Sequence, residues 1–275
     1  MKKLILFVVV FLFSGIVDCY SQIEIAREQL FQIPLEIQSS LIGMRSAGDK
    51  IFVAASNGRY VRFDLETRES LTGKMSADLV LDFDIVLGQP VFLDDSGKVR
   101  GKRRPAWPDK SYEAVRLETS SDGLMLCGGD KAFFLDKNAT DSIEVPDIVF
   151  ALPINNGFFY SMKLRSKTRL WGIDLHDSYG NLMKAVYTFS SEFLPTGIEI
   201  GPRGPDSEVL VSAFENNERK LSLIANNGHM FWKINGPEKL CARDVAFDKE
   251  GRLLVLERKN DQIWVNRWKF TVPEG

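Results

Sequence analysis

Cysteine and histidine are scarce in this chain, with 3 Cys and 2 His in 275 residues. His176 and His229 stand far apart and no cysteine pair has zinc-ligand spacing, which excludes a zinc-finger-like centre. Cys19 falls in a leader-like segment, so Cys127 and Cys241 are the two thiols of the body. They lie on separate apolar segments about three repeats apart, and the expectation is two buried thiols rather than a disulfide, which needs Cα atoms within ~7 Å. Charge of one sign is also lacking: 35 Lys and Arg against 37 Asp and Glu give a formal net charge of −2. A near-neutral chain has no global field to attract nucleic acid or an acidic membrane.

Catalytic signatures are missing as well. The sequence has no Gly-x-Ser-x-Gly elbow, and Gly201-Pro202-Arg203-Gly204 and Cys127-Gly128-Gly129-Asp130 lack the strand–loop–helix setting of a phosphate loop. His176, in LHDSYG, and His229, after Asn226-Asn227-Gly228, read as solvated turn residues. No catalytic residue is assigned. Helical periodicity sustained over the ~10–12 residues of a real helix is absent too, which leaves an all-β chain.

What is present begins with an address. Met1-Lys2-Lys3 precedes an unbroken apolar run from Leu4 to Phe13, and Cys19 and Ser21 supply small residues at cleavage offsets. A basic start, a short apolar core and a small-x-small site make a secretory signal peptide. Residues 1–21 are therefore read as a signal peptide cleaved before Gln22, and 22–275 as one domain in the periplasm or outside the cell. Lipidation at Cys19 is a second reading, disfavoured by Asp18 before it. A retained anchor is a third, and the apolar run falls short of the ~20 residues that span a bilayer. No transmembrane segment is expected after cleavage.

Seven short polar turns ending in glycine punctuate the body, at Gly58, Gly97, Gly123, Gly157, Gly180, Gly228 and Gly251, each leading into a β-rich run. Asn-Gly and Asp-Gly suit tight hairpins that need positive φ. Pro108, Pro146, Pro195 and Pro237 recur near the 40–45-residue period of a four-stranded propeller blade. Strand-like sets follow: 112–145, 147–189 and 196–234. The last unit, from Leu240, holds three strands before the chain stops, while Ile23–Ile33 is β-like and precedes the first complete unit at Leu41. The expectation is a β-propeller of six blades of about four antiparallel strands, closed by residues near 22–33 pairing with 262–270, since an open seam would leave exposed edges. Residues 77–102 form the weakest blade, and seven irregular blades remain an alternative.

Ala242 to Phe270, ARDVAFDKEGRLLVLERKNDQIWVNRWKF, resembles a repeat of the NHL/SMP-30-like six-bladed propellers, and Gly48 to Leu65 resembles it more loosely. The resemblance implies architecture. The gluconolactonase-type members would further imply a channel metal held by Glu, Asn and Asp, but that set has no match here.

Two groups of residues are candidate sites. Asp82 and Asp84 are two apart, so on a strand both carboxylates share one face. If that face lines the channel, they are candidate ligands for a hard cation such as Ca²⁺, with Asn155, Asn156 and Asp244 as further oxygen donors. The second group is a basic loop carrying Lys98, Arg100, Lys102, Arg103, Arg104 and Trp107, a local positive patch with an aromatic anchor. The expected function is an exported binding module for a protein or an anionic envelope or glycan ligand, acting as a monomer without nucleic acid. The alternative is a channel-centred, metal-dependent, lactonase-like hydrolase.

Overall fold

The computed structural model describes residues 24–271 apart from 76, 102–109, 121–122, 137–141 and 205. The proposed leader, the core of the basic loop with Lys102, Arg103, Arg104 and Trp107, and the Asn138-Ala139-Thr140 glycosylation-type triplet lie outside the described residues.

The chain opens with β1 (Glu24–Gln32) and a single-turn helix, α1 (Leu35–Gln38). Blade one is β2 (Leu41–Ala47), β3 (Lys50–Ala55), β4 (Arg59–Asp64) and β5 (Ser70–Lys74). Blade two is β6 (Val80–Val86), β7 (Gln89–Asp94) and β8 (Val99–Gly101). Blade three is β9 (Arg116–Thr119), β10 (Gly123–Gly128), β11 (Lys131–Asp136) and β12 (Ile143–Pro146). Blade four is β13 (Phe150–Pro153), β14 (Phe159–Arg165), β15 (Leu170–His176) and β16 (Leu182–Thr188). Blade five is β17 (Phe193–Ile200), β18 (Glu208–Glu215), β19 (Glu218–Ala225) and β20 (Met230–Asn235). Blade six is β21 (Val245–Phe247), β22 (Leu253–Lys259) and β23 (Gln262–Thr271), with β1 as its outermost strand. The first strands of successive blades, β2, β6, β9, β13, β17 and β21, touch one another in turn, and β21 returns to β2. That closed cycle is a six-bladed propeller.

Closure is as the ends of the sequence suggested. β1 runs antiparallel to β23 from Glu24 opposite Thr271 to Gln32 opposite Trp264, with one bulge between Gln29 and Phe31. Phe31 then stacks on Phe63 of blade one at 4.3 Å between ring centroids, so the N-terminal strand ties the last blade to the first. Gln38 of α1 reinforces the seam: its Nε2 donates to the Ile33 carbonyl and its Oε1 accepts from the Ile263 N–H.

The apolar content of the strands follows from being buried on both faces. Side chains alternate across a strand, and every blade interface has its own core cluster. On β3, Ile51, Val53 and Ala55 face blade six while Phe52 and Ala54 face blade two. On β10, Leu124 and Leu126 face blade two while Met125 and Cys127 face blade four. On β18, Val209, Val211 and Ala213 face blade four while Leu210 faces blade six. Runs such as LMLC and EVLVSA are therefore continuous rather than alternating, because there is no solvent face to mark.

The glycine turns all join neighbouring antiparallel strands, but not at one fixed place in the blade. Gly157 and Gly251 fall between first and second strands and Gly123 opens the second strand of blade three, Gly58 and Gly97 lie between second and third, and Gly180 and Gly228 between third and fourth. They mark hairpins and do not count blades. Three of them depend on an aspartate three residues earlier. Asp94, Asp177 and Asp248 each accept the backbone N–H groups two and four residues on, which fixes the turn before Gly97, Gly180 and Gly251. In blades two and six an arginine side chain adds to the same carboxylate, with Arg100 Nε on Asp94 at 3.0 Å and Arg252 Nε on Asp248 at 2.8 Å.

Candidate functional site

Each first strand of the propeller presents side chains to the axis, and five of the six blades place charge there. The centre of the group is Arg243, fully buried in the segment leading into β21. Its Nε and Nη2 grip the Asp82 carboxylate of β6 at 3.1 and 2.8 Å, Nη2 also donates to the Leu117 carbonyl of β9 at 3.0 Å, and Nη1 reaches Glu118 of β9 and Glu199 of β17, the latter at 3.4 Å. Asp82 further accepts the N–H groups of Phe83 and Leu117. Arg45 on β2 forms a looser second tier, at 3.3 Å from Asp84, 3.6 Å from Glu118 and 3.4 Å from Glu199. Asp84 is anchored to blade three through the N–H and hydroxyl of Thr119, at 2.7 and 2.8 Å.

Backbone geometry brings Arg243 into the centre. Gly43 of β2 forms a parallel bridge with Arg243, and the Met44 N–H donates to the Arg243 carbonyl at 2.8 Å. A Cβ on residue 43 would stand 3.0 Å from the Arg243 Cβ. Blades one and six approach this closely because residue 43 has no side chain.

Charge balance governs the protonation of the group. Arg45, Arg116 and Arg243 face Asp82, Asp84, Glu118 and Glu199, three cations against four carboxyls. Burial raises the Asp82 carboxyl, but Arg243 and Arg45 outweigh it and hold Asp82 below the ordinary carboxylate range. For Glu118 the balance goes the other way. Burial, with repulsion from Glu199 and Asp84, overcomes the attraction of Arg243 and Arg45 and pushes it up to about 8. A proton on Glu118 at neutral pH leaves three cations and three anions, the arrangement of lowest cost in a low-dielectric core. Burial and the Arg243 charge push Arg116 down, and its guanidinium lies 4.4 Å over the Phe150 ring.

A second buried pair sits beside the first. Arg219 donates to both oxygens of Asp244, at 2.8 and 2.5 Å, and to the carbonyls of Pro237 and Glu238. Lys239 donates to the Thr196 carbonyl at 3.0 Å, and burial pulls its amine down to about 8.

The sequence-derived candidates divide accordingly. Asp82 and Asp84 do share one face and do point to the axis, but the cations they meet are guanidinium groups. Asp244 belongs to the Arg219 pair, Asn155 donates to Asp206 at 2.6 Å, and Asn156 adopts left-handed backbone with φ 61°. Among the described residues no three His, Cys, Asp or Glu side chains are grouped closely enough to hold a metal. In the basic segment, Arg100 is paired with Asp94 and the Lys98 N–H donates to the same carboxylate, so both help build blade two. Gly101 lies beside Val91 and the Tyr112 N–H donates to the Gly97 carbonyl, which puts the described flanks of the loop at opposite ends of β7.

His176 corrects the expectation of a solvated turn residue. It is 3% exposed, stacks on Phe159 at 5.0 Å, and has its ring nitrogens bonded to the Ser161 hydroxyl and the Gly180 carbonyl. It ends β15, one residue before the turn, and the face it shares with Asp174 is covered. His229 is exposed, beside Phe231. Cys127 is buried and Cys241 half-buried, and both are free thiols.

The axial ring escaped sequence reasoning in its most important member. Arg243 reads as one cation among 35. Its one usable mark is position, directly before the first strand of the final repeat, where neighbouring blades carry axial side chains.

At one end of the axis the ring opens into a cavity of about 320 Å³. Arg45, Glu118 and Glu199 lie in its wall beside the apolar Ile85, Leu152 and Phe247. All belong to the C-terminal halves of the first strands or the residues adjoining them.

No family model matches this sequence, and no curated protein matches it. Solved structures do. Hydrazine synthase of Kuenenia stuttgartiensis superposes with a TM-score of 0.55 at 9% identity, over 82% of this chain and 79% of that one. The WD40 β-propeller domain of Doa1 gives a TM-score of 0.52 at 10% identity, over 81% and 78%. At such identities the likeness is one of fold: the chain is built as a β-propeller.

Proposed function

We propose that this protein is an exported recognition module of the NHL-like propeller type, which binds a protein or an anionic envelope ligand through the loops on its rigid ring. One observation carries the reading. The axial carboxylates, which in a metal-dependent hydrolase would converge on a cation, are here engaged by Arg243 and Arg45. An axis that neutralises itself works as a structural hub, and the loops become the place where chemistry varies. Export rests on the pattern of Met1 to Ser21. The docking element in this reading is the basic loop, where Lys102, Arg103, Arg104 and Trp107 combine cations with an aromatic anchor.

Vesicles containing phosphatidylglycerol model the anionic surface. Each basic residue near such a surface contributes about 1 kcal/mol, so Lys102→Ser, Arg103→Ser and Arg104→Ser together should weaken association about 100-fold at low salt. Binding of the parent should fall steeply with added salt. Cosedimentation that is unchanged by the triple replacement or by salt would overturn the docking role.

A further inference from the structure

Arg45 carries hydrogen-bonding capacity that the fold leaves unused. Its side chain is 8% exposed, yet among the described residues its Nε and Nη2 meet no acceptor with hydrogen-bond geometry. The contacts around it are long: 3.3 Å to Asp84, 3.6 Å to Glu118 Oε2 and 3.4 Å to Glu199 Oε2. Arg243, by contrast, holds Asp82 at 2.8 to 3.1 Å and is satisfied on every nitrogen. A buried donor without a partner is costly, and this one stands in the wall of the 320 Å³ cavity with carboxyl oxygens on either side.

The chemistry of a complementary ligand follows. A carboxylate would accept from Arg45 but meet the carboxylates of Asp84 and Glu199, which line the same cavity. An ammonium would suit the glutamates but meet Arg45. The partner must be uncharged and must accept and donate within one small group. A primary carboxamide does both: its oxygen has two lone pairs for two N–H donors, and its NH₂ has two hydrogens for carboxyl oxygens. Ile85, Leu152 and Phe247 give an apolar wall for the carbon chain behind such a group. The volume lies at the lower end of the ~300–1,000 Å³ of ligand pockets, which suits one side chain or one amino acid.

We propose that the mouth of the propeller axis is a binding site for a primary carboxamide, the side-chain group of glutamine or asparagine, held between Arg45 and Glu199. The lining residues named here include none of Lys102, Arg103, Arg104 and Trp107, so loss of vesicle docking and loss of amide binding are independent results.

The test uses residues 22–275 and three small probes with a short alkyl chain in ligand-observed NMR titrations: propionamide, propionate and propylamine. Propionamide should bind saturably, and the two charged probes at least tenfold more weakly. Glu199→Gln should weaken propionamide about tenfold by removing a charged acceptor. Ile85→Trp, which adds bulk to the cavity wall, should abolish binding while the melting transition stays cooperative. L-glutamine and N-acetyl-glutamine N-methylamide separate the sources: tighter binding of the free amino acid assigns a small-molecule ligand, and tighter binding of the blocked residue assigns a peptide. Propionamide that fails to saturate, that binds no better than propionate, or that binds both variants like the parent would overturn the proposal.

Discussion

Glu118 shows how one side chain can record the balance of a whole buried group. Its carboxyl is buried and pushed up to about 8, against an ordinary value of 4.5 for a glutamate in the unfolded chain. The native state therefore holds a proton on Glu118 that the unfolded state has released between pH 4.5 and 8. Where the native state binds more protons, stability falls as pH rises. This contribution is complete below about pH 4.5 and is lost as pH passes through 8. Glu118→Gln keeps a neutral, hydrogen-bonding side chain of the same shape. The variant should lose less melting temperature than the parent between pH 5 and 8.5, and should be the more stable of the two above pH 8. Parallel melting curves across that range would show that Glu118 is already ionised in the folded protein. None of this is legible from LET in the sequence. Leu117, Glu118 and Thr119 read as an unremarkable strand end, and the shift arises first from burial and then from repulsion by Glu199 and Asp84, which are distant along the chain.

At the scale of elements, the strands were the most legible part, because burial on both faces leaves unbroken apolar runs between turn residues. EVLVSA lies within β18, and FFYSM and RLLVLE enter β14 and β22 from their second residue on. The N-terminal strand was legible for a different reason: the last repeat was one strand short. Its contribution is testable. Removing residues 22–34 deletes the pairing partner of β23 and the buried side chains of Phe31 and Ile33. Burial of each such side chain is worth about 1.5–3 kcal/mol, and the exposed β23 edge adds an aggregation hazard. Thermal unfolding of the truncated chain should shift down by more than ~10 °C, given ~2–4 °C per kcal/mol for a domain of this size. A truncated protein melting with the parent would refute closure through β1. The hairpin turns were seen as well, but they fall at differing places within the blades. Their regularity lies in the Asx geometry of Asp94, Asp177 and Asp248, a local device that any hairpin can use. In blade two, expected to be irregular, the third strand β8 spans three residues.

At the scale of the molecule, Arg243 joins what the blades alone leave separate. Its side chain contacts blades two, three and five, and its backbone contacts blade one. Arg243→Ala would leave Asp82 buried without its counter-ion, and breaking a buried pair in this way costs about 3–5 kcal/mol. Chemical denaturation should show that loss with a retained cooperative transition. A change below about 1 kcal/mol would mean that Asp82 is neutral in the folded state. The sequence by itself determined the all-β class, the repeat length, the closure of the ring and the face shared by Asp82 and Asp84. These follow from local preferences and side-chain alternation, which act over a few residues. Tertiary structure alone decided that the shared face meets Arg243 and Arg45, that His176 is covered, and that Arg45 sets beside a cavity two donors with no hydrogen-bond acceptor among the described residues. Those outcomes depend on residues up to 161 positions apart, brought together by the circular packing of the blades, and no local rule reaches that far.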